Sequence, residues 1–141
     1  MKSLAMVVAM AWLSVAQSGA VAIAGVWTAE FAGRTFIRLE LKNANGTITG
    51  GISVGDIEVD SQGVISGAEE PPRNLTPISG VALRGSVLSF SRKDGDDIDQ
   101  FELHLLRDGS SELQLMLSEA DRRELAVGGI PAPRPIRLTK R

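Results

Sequence analysis

Hydrophobic and polar side chains alternate along most of the chain after its first two dozen residues. In Gly25–Phe31 and in Arg34–Leu41 the larger apolar side chains fall on every second residue. A period of two is typical of a β-strand that has one face in a core and the other in water. The same pattern predicts further strands at Thr47–Val54, Gly55–Asp60, Gly63–Gly67, Ile78–Leu83, Val87–Arg92, Ile98–Arg107, Glu112–Leu117 and Ile136–Lys140.

Tight turns separate these segments. Asn45-Gly46 lies between the second and third, and Arg84-Gly85-Ser86 and Asp108-Gly109-Ser110 lie between later pairs. Such turns favour hairpins, and short strands at a spacing of about 8–12 residues are typical of sandwiches and barrels. The run of predicted strands makes the predicted fold all-β. Hairpins that join successive strands favour an up-and-down order, and closure of such a sheet removes its exposed edges. We expect a single antiparallel up-and-down β-barrel of about eight to nine short strands.

Three segments depart from the simple pattern. Ser118–Val127 begins with a capping residue, has Asp121 three residues later and is followed by Gly128-Gly129, which predicts a short helix before the last strand. Ala68–Pro77 contains three prolines, so we expect a long loop that serves as a mobile lid or contact element at the barrel mouth. Gly50-Gly51 predicts a bulge or sharp bend in the third strand.

The alternation also predicts which apolar side chains point into the barrel. Small residues at two inward positions, Ala29 and Gly50, are expected to leave room in the interior. The large inward residues are Trp27, Phe31, Ile37, Leu39, Leu41, Ile48, Ile52, Leu83, Leu88, Phe90, Phe101, Leu103, Leu105, Leu113, Leu115, Leu117, Ile136 and Leu138.

The beginning of the chain has the three parts of a secretory signal. Lys2 is followed by the apolar stretch Leu4–Val15 and then by small-residue cleavage patterns that end at Ala20 and at Ala24. The polar residues Gln17–Gly19 interrupt the apolar run before it reaches the ~20 residues that a membrane-spanning helix needs. We therefore expect a removable signal rather than a membrane anchor.

Cleavage is expected after Ala24, with cleavage after Ala20 as the alternative. This divides the chain into a secretory signal peptide, residues 1–24, and a β-barrel domain, residues 25–141. The protein is then expected to be secreted or periplasmic, with no stable membrane span once the signal is removed.

Composition narrows the choice of function. The chain has 15 lysines and arginines against 17 aspartates and glutamates, and the two signs are interspersed, so no basic face for nucleic acid is predicted. It has no cysteine, which excludes thiol catalysis and cysteine-based metal sites. The absence of cysteine in an exported chain is typical of a bacterial envelope protein, and its stability must come from packing.

The remaining candidates for chemistry do not form a catalytic or metal-binding set. His104 is the only histidine, and the alternation places it on the outer face with Gln100 and Glu102. No nucleophile and acid are spaced to form a triad with it, so we predict neither a catalytic residue nor a cofactor, and a hydrolase is kept as the alternative. The run Asp94–Asp99 lacks the EF-hand pattern and is interpreted as a solvated hairpin turn rather than a metal site.

The first predicted strand resembles that of a known superfamily. Gly25-Val26-Trp27 is similar to the Gly-x-Trp with which the calycins, the lipocalins and avidins among them, open their first barrel strand. The resemblance implies a closed antiparallel barrel of eight or nine strands, in which a basic residue of the last strand lies against the tryptophan ring. Arg137 is the residue expected in that role, by a cation–π contact. Biotin binding is not implied, because the chain has no tyrosine.

Together these patterns predict a non-catalytic protein that binds a small apolar ligand or a protein partner at the barrel mouth. The alternative is a solid barrel without a cavity, acting as a structural or interaction module of the bacterial envelope. Whether inward side chains fill the lumen distinguishes the two. The side chains expected to contact a ligand are those of Ala29, Phe31, Leu39, Phe90, Leu103 and Leu115.

Overall fold

The computed structural model describes residues 20–141, so residues 1–19, which hold most of the predicted signal, lie outside the described residues. Residues 20–23 are helical and lead into the first strand. One further helix, α1, spans Glu119–Val127. The strands are β1 Gly25–Phe31, β2 Arg34–Ala44, β3 Thr47–Val54, β4 Ile57–Val59, β5 Ile65–Ala68, β6 Thr76–Arg84, β7 Val87–Asp94, β8 Asp97–Leu105, β9 Ser111–Met116 and β10 Ile136–Lys140.

Eight of these strands form a closed antiparallel barrel in the order β1-β10-β9-β8-β7-β6-β3-β2. The other two, β4 and β5, pair only with each other and form a hairpin inserted between β3 and β6. Each barrel strand otherwise neighbours the next one along the chain, so the path is up-and-down. The predicted all-β barrel and the short helix before the last strand are both confirmed.

The two ends of the barrel differ. At one end, called here the Trp27 end, β1 begins, β10 finishes and the turns at 45–46, 85–86 and 106–110 connect the strands. At the other, the hairpin end, lie the turns at 32–33 and 95–96, the β4–β5 hairpin and both connections of α1. Alternate residues of each strand fill the lumen between these ends, and Leu39, Ile52, Leu103 and Leu138 are completely buried there.

One buried residue departs from the predicted alternation. Phe36 and Ile37 are neighbours in β2, yet both are buried. The pairing with β1 shifts at this point, from Ala29 opposite Ile37 to Glu30 opposite Thr35, which leaves Phe36 as an extra residue. A β-bulge of this kind turns two successive side chains away from solvent. Six of the predicted inward residues are only partly buried. Leu117 follows the end of β9, and the other five pack against the core: Phe31, Leu83, Leu105, Leu115 and Ile136.

The predicted bulge at Gly50-Gly51 is wrong, because β2 and β3 pair there without a register shift. The interior room predicted at Gly50 is wrong as well. A Cβ atom at Gly50 would collide with the carbonyl oxygen of Glu40 on β2, so the space is occupied by backbone. Glycine is needed at this position for the close approach of two strands.

The α1 helix follows its sequence signals closely. The Ser118 hydroxyl accepts a hydrogen bond from the backbone N–H of Asp121 at 3.1 Å, which is the predicted N-cap. The helix ends before Gly128, and Gly129 has a φ of +66°. None of its residues is buried, so α1 lies on the outside of the barrel.

Replacing Gly50 by alanine is expected to lower the free energy of unfolding by about 2–3 kcal/mol, because the new methyl group meets backbone that cannot move without separating β2 from β3. Urea denaturation of the purified protein measures this change. The matched control is Gly128→Ala, whose Cβ would meet its nearest neighbour, Ile130 Cδ1, at an ordinary 3.5 Å. Equal stability of the two variants would contradict this account of Gly50.

Candidate functional site

A cavity of about 130 Å³ lies at the hairpin end of the barrel. It sits where β2, β3, β7, β8, β9 and β10 meet the β4–β5 hairpin and the segment before β10. Eight of its eleven lining residues are apolar. The lining residues are Ile37, Val54, Ile57, Arg92, Asp99, Phe101, Leu113, Leu115, Pro133, Arg134 and Ile136.

An arginine–aspartate pair forms the polar part of the cavity wall. The β7–β8 register places Arg92 directly opposite Asp99, and Arg92 Nη2 donates a hydrogen bond to Asp99 Oδ2 at 2.9 Å. The guanidinium carbon of Arg92 lies 5.5 Å from the centroid of the Phe101 ring, within cation–π distance. Since the Arg92 side chain is only 17% exposed, this pair is screened less by water than the other ion pairs of the barrel.

One donor of this arginine is unused. Arg92 Nε is buried and has no hydrogen-bond acceptor among residues 20–141. A buried N–H without an acceptor destabilises a protein by about 1–3 kcal/mol. This donor is turned away from the space that a water-sized molecule can reach.

The β4–β5 hairpin covers this end of the barrel. Its turn is shaped by Asp60, whose Oδ1 accepts hydrogen bonds from the backbone N–H groups of Gln62 at 2.8 Å and Val64 at 3.0 Å. Ile57 and Ile65, one from each strand of the hairpin, pack against the core. The hairpin thus contributes Ile57 to the cavity wall and exposes a polar turn to water.

Arg134 fastens the hairpin turn to the segment that enters β10. Its backbone N–H donates to the carbonyl oxygen of Gly63 at 3.0 Å, and its Nε donates to the carbonyl oxygen of Gln62 at 2.9 Å. Gly63 allows the close approach, since a Cβ there would collide with the carbonyl oxygen of Ala132. Arg134 also lines the cavity, so the residue that binds the turn of the β4–β5 hairpin is one of the cavity residues.

The predicted ligand contacts mostly lie elsewhere. Of the six, only Leu115 lines the cavity. Leu39, Leu103 and Phe90 belong to the packed interior. Ala29 is buried, and together with Phe31 it borders a shallow depression beside the hairpin.

Sequence reasoning missed the charged pair, although the signal was present. Arg92 follows Leu88 and Phe90 at the inward spacing of β7, and Asp99 precedes Phe101 at the inward spacing of β8. Two opposite charges at inward positions of one hairpin indicate a buried pair. The inward spacing of a strand does not identify Ile57, Pro133 and Arg134, because these residues reach the cavity from the inserted hairpin and an irregular segment.

The predicted contact between Arg137 and Trp27 is wrong, and Lys140 takes that role. Lys140 pairs directly with Trp27 in the β1–β10 register, and its Nζ lies 5.6 Å from the centroid of the indole ring. Arg137 has the opposite parity in β10 and points outward, 3.7 Å from Asp108 and from Glu112. Gly25 has a φ of +137°, a backbone conformation that residues with a side chain rarely adopt.

The carboxyl group of Asp108 has a pKa below its ordinary value. The Ser110 side chain donates a hydrogen bond to Oδ1 at 2.6 Å, which is the largest cause, and the Ser110 backbone N–H donates to the same oxygen at 2.9 Å. The positive charge of Arg137 acts in the same direction. This group lies at the Trp27 end, away from the cavity.

The long loop does not cover the cavity, so its predicted position as a lid is wrong. β5 and β6 extend into the predicted segment and leave residues 69–75 as the loop. Ser53 Oγ donates a hydrogen bond to the carbonyl oxygen of Pro72 at 2.6 Å. The loop therefore lies against the outer face of β1–β3, where Glu70, Pro71 and Arg73 border a groove with Thr28.

His104 is on the outer face, with its Nε2 3.1 Å from Glu102 Oε1, and neither residue lines the cavity. Asp94–Asp99 forms the β7–β8 turn and its flanking residues. Within residues 20–141, no three histidine, aspartate or glutamate side chains come together as a metal-binding group. Nothing in that part of the chain forms a helix that is both long enough and apolar enough to cross a membrane.

Comparison with known proteins finds no family model, no curated protein and no solved structure that matches this chain.

Replacing Arg134 by alanine is expected to loosen the hairpin cover, because the Nε bond to Gln62 is lost while the barrel itself is untouched. Hydrogen exchange should become faster at residues 57–68, with the free energy of global unfolding changed by no more than about 0.5 kcal/mol. Mass spectrometry of peptides after exchange measures both regions. Arg137→Ala, an exposed arginine three residues away, is the control. Unchanged exchange in the hairpin would show that the Arg134 side chain does not hold it.

Proposed function

We propose that this protein is an exported, non-enzymatic β-barrel that binds a small, mostly apolar ligand in the cavity at the hairpin end. The observation that carries the proposal is the cavity itself: an apolar pocket with a single arginine–aspartate pair in its wall. Pockets of this composition, largely hydrophobic with a few polar groups that orient the ligand, are typical of small-molecule sites.

The cavity limits the size of the bound group. An apolar cavity of about 150 Å³ in another protein holds benzene. The volume here, about 130 Å³, is suited to a group of similar size or slightly smaller.

Polar recognition is assigned to Arg92. The Arg92–Asp99 pair is the polar part of the cavity wall, so it favours a ligand that carries a polar group next to its apolar part. The polar end of such a ligand would lie towards this pair, which gives the ligand a preferred direction in the cavity.

We further propose that the protein is a calycin-like barrel. In support, the barrel is closed, antiparallel and eight-stranded, and Gly25 and Trp27 lie at the start of its first strand. A basic residue of the last strand, Lys140, lies against the tryptophan ring. The substitution of Lys140 for the expected Arg137 preserves the cation–π contact while using another position of the strand.

Export and the lack of an enzymatic activity belong to the same proposal. Export is supported by the basic, apolar and small-residue parts of residues 1–24. The non-enzymatic assignment is supported by the position of His104, which lies on the outer face beside Glu102 and outside the cavity wall.

A second candidate is a structural or interaction module of the bacterial envelope. It is favoured by the dense middle of the barrel, where Leu39 and Leu103 are completely buried and leave the cavity confined to one end. This candidate predicts that the cavity stays unoccupied in the presence of small apolar molecules.

A cavity-filling variant tests the proposed function. Leu115→Trp places a larger side chain in the wall and should weaken the binding of benzene by at least about tenfold, as measured by protein-detected NMR titration. The control is Gln114→Trp, because Gln114 is exposed on the neighbouring position of β9. Absence of benzene-induced shifts at cavity residues in the unmodified protein would exclude the ligand-binding proposal and favour the interaction module.

A further inference from the structure

Residues 20–24 pack against the Trp27 end of the barrel. Ala20 and Ile23 belong to the hydrophobic core and are 0% exposed. The carbonyl oxygen of Ile23 accepts a buried hydrogen bond from Trp27 Nε1 at 2.8 Å. The segment before β1 therefore satisfies the one polar atom of the most deeply placed aromatic side chain.

A second bond holds the same segment to the last strand. Lys140 Nζ donates a hydrogen bond to the carbonyl oxygen of Ala22 at 2.9 Å, while lying against the ring of Trp27. Lys140 thus connects β10, the indole ring and the segment before β1. The Lys140 side chain is also the nearest neighbour of a Cβ atom placed at Gly25. It therefore packs closely against the backbone where the segment before β1 joins β1.

We propose that export processing leaves Val21–Ala24 attached to the barrel, so that the removed signal ends no later than Ala20. Cleavage after Ala24 would take away Ile23 together with both carbonyl acceptors, and would leave the Trp27 N–H buried without a partner. Among the described residues, cleavage after Ala20, the other small-residue pattern, removes the Ala20 methyl group and the 3.2 Å bond from the Ala24 N–H to the Ala20 carbonyl oxygen, but keeps Ile23 and both carbonyl acceptors. This inference rests on the proposed export and is independent of ligand binding.

Processing is tested first. The full chain is expressed in a Gram-negative bacterial host, and the mass of the protein in the periplasmic fraction is measured by intact-protein mass spectrometry. The expected product begins at Val21 or upstream of it. Two variants identify the cleavage site, since signal peptidase requires a small residue before the cut bond. Ala20→Leu should prevent or displace processing, whereas Ala24→Leu should leave the cleavage position unchanged.

The contribution of the segment to folding is tested separately. Proteins that begin at Val21 and at Gly25 are released from a fusion partner with native N-termini and compared by urea denaturation. Loss of the segment should reduce the folding equilibrium constant by at least about 100-fold, because an apolar side chain is lost from the core and a buried donor is left unpaired. In the longer protein, Ile23→Ala should reproduce a large part of this loss. Val21→Ala should not, because Val21 is 64% exposed.

Each outcome decides the proposal. A periplasmic product that begins at Gly25, or an unprocessed precursor, would overturn it. Equal stability of the two shortened proteins would overturn its physical basis. Failure of benzene to enter the cavity would leave both results unaffected, so the two proposals can fail independently.

Discussion

The barrel depends on a short seam at which its first and last strands meet. Only two residue pairs join β1 to β10, Trp27 with Lys140 and Thr28 with Thr139, and the backbone N–H of Arg141 adds one bond to the carbonyl oxygen of Val26 at 2.9 Å. Closure of an antiparallel sheet removes its exposed edges, but here few backbone bonds hold the edges together. Side chains must therefore supply the rest of the stabilisation, and they do so around the indole ring of Trp27.

The same seam determines which side chains of β10 face inward. Because Lys140 lies opposite Trp27, the inward positions of β10 are Ile136, Leu138 and Lys140, and the arginine at 137 is left outside with Asp108 and Glu112. A resemblance in sequence identified the tryptophan and the need for a basic partner. Only the register, which is a relation between residues more than a hundred positions apart, could identify which basic residue that is.

Local pattern predicted the fold more completely than it predicted the site. The bounds of β1, β3 and β10 follow from alternation and turn residues, because both signals are contained in a few neighbouring residues. Phe36 was missed because a bulge depends on how two strands pair, and alternation within one strand contains no information about its partner. The cavity was missed for a similar reason: Ile57 and Arg134 reach it from an inserted hairpin and an irregular segment whose positions depend on tertiary contacts.

The two ends of the barrel affect the stability of the fold in opposite directions: packing around Trp27 stabilises it, and the cavity at the hairpin end destabilises it. Space of about 130 Å³ that no side chain fills lowers the stability of the folded barrel, because the apolar side chains around it lose packing contacts. A loss of about 1–2 kcal/mol is already a large fraction of the net stability of about 5–15 kcal/mol that is typical of a domain. Such a loss requires good packing elsewhere, and Leu39, Leu103 and Leu138 in the lumen are completely buried. A ligand that fills the cavity would recover part of that cost as binding free energy, because it would interact with the folded barrel and not with the unfolded chain.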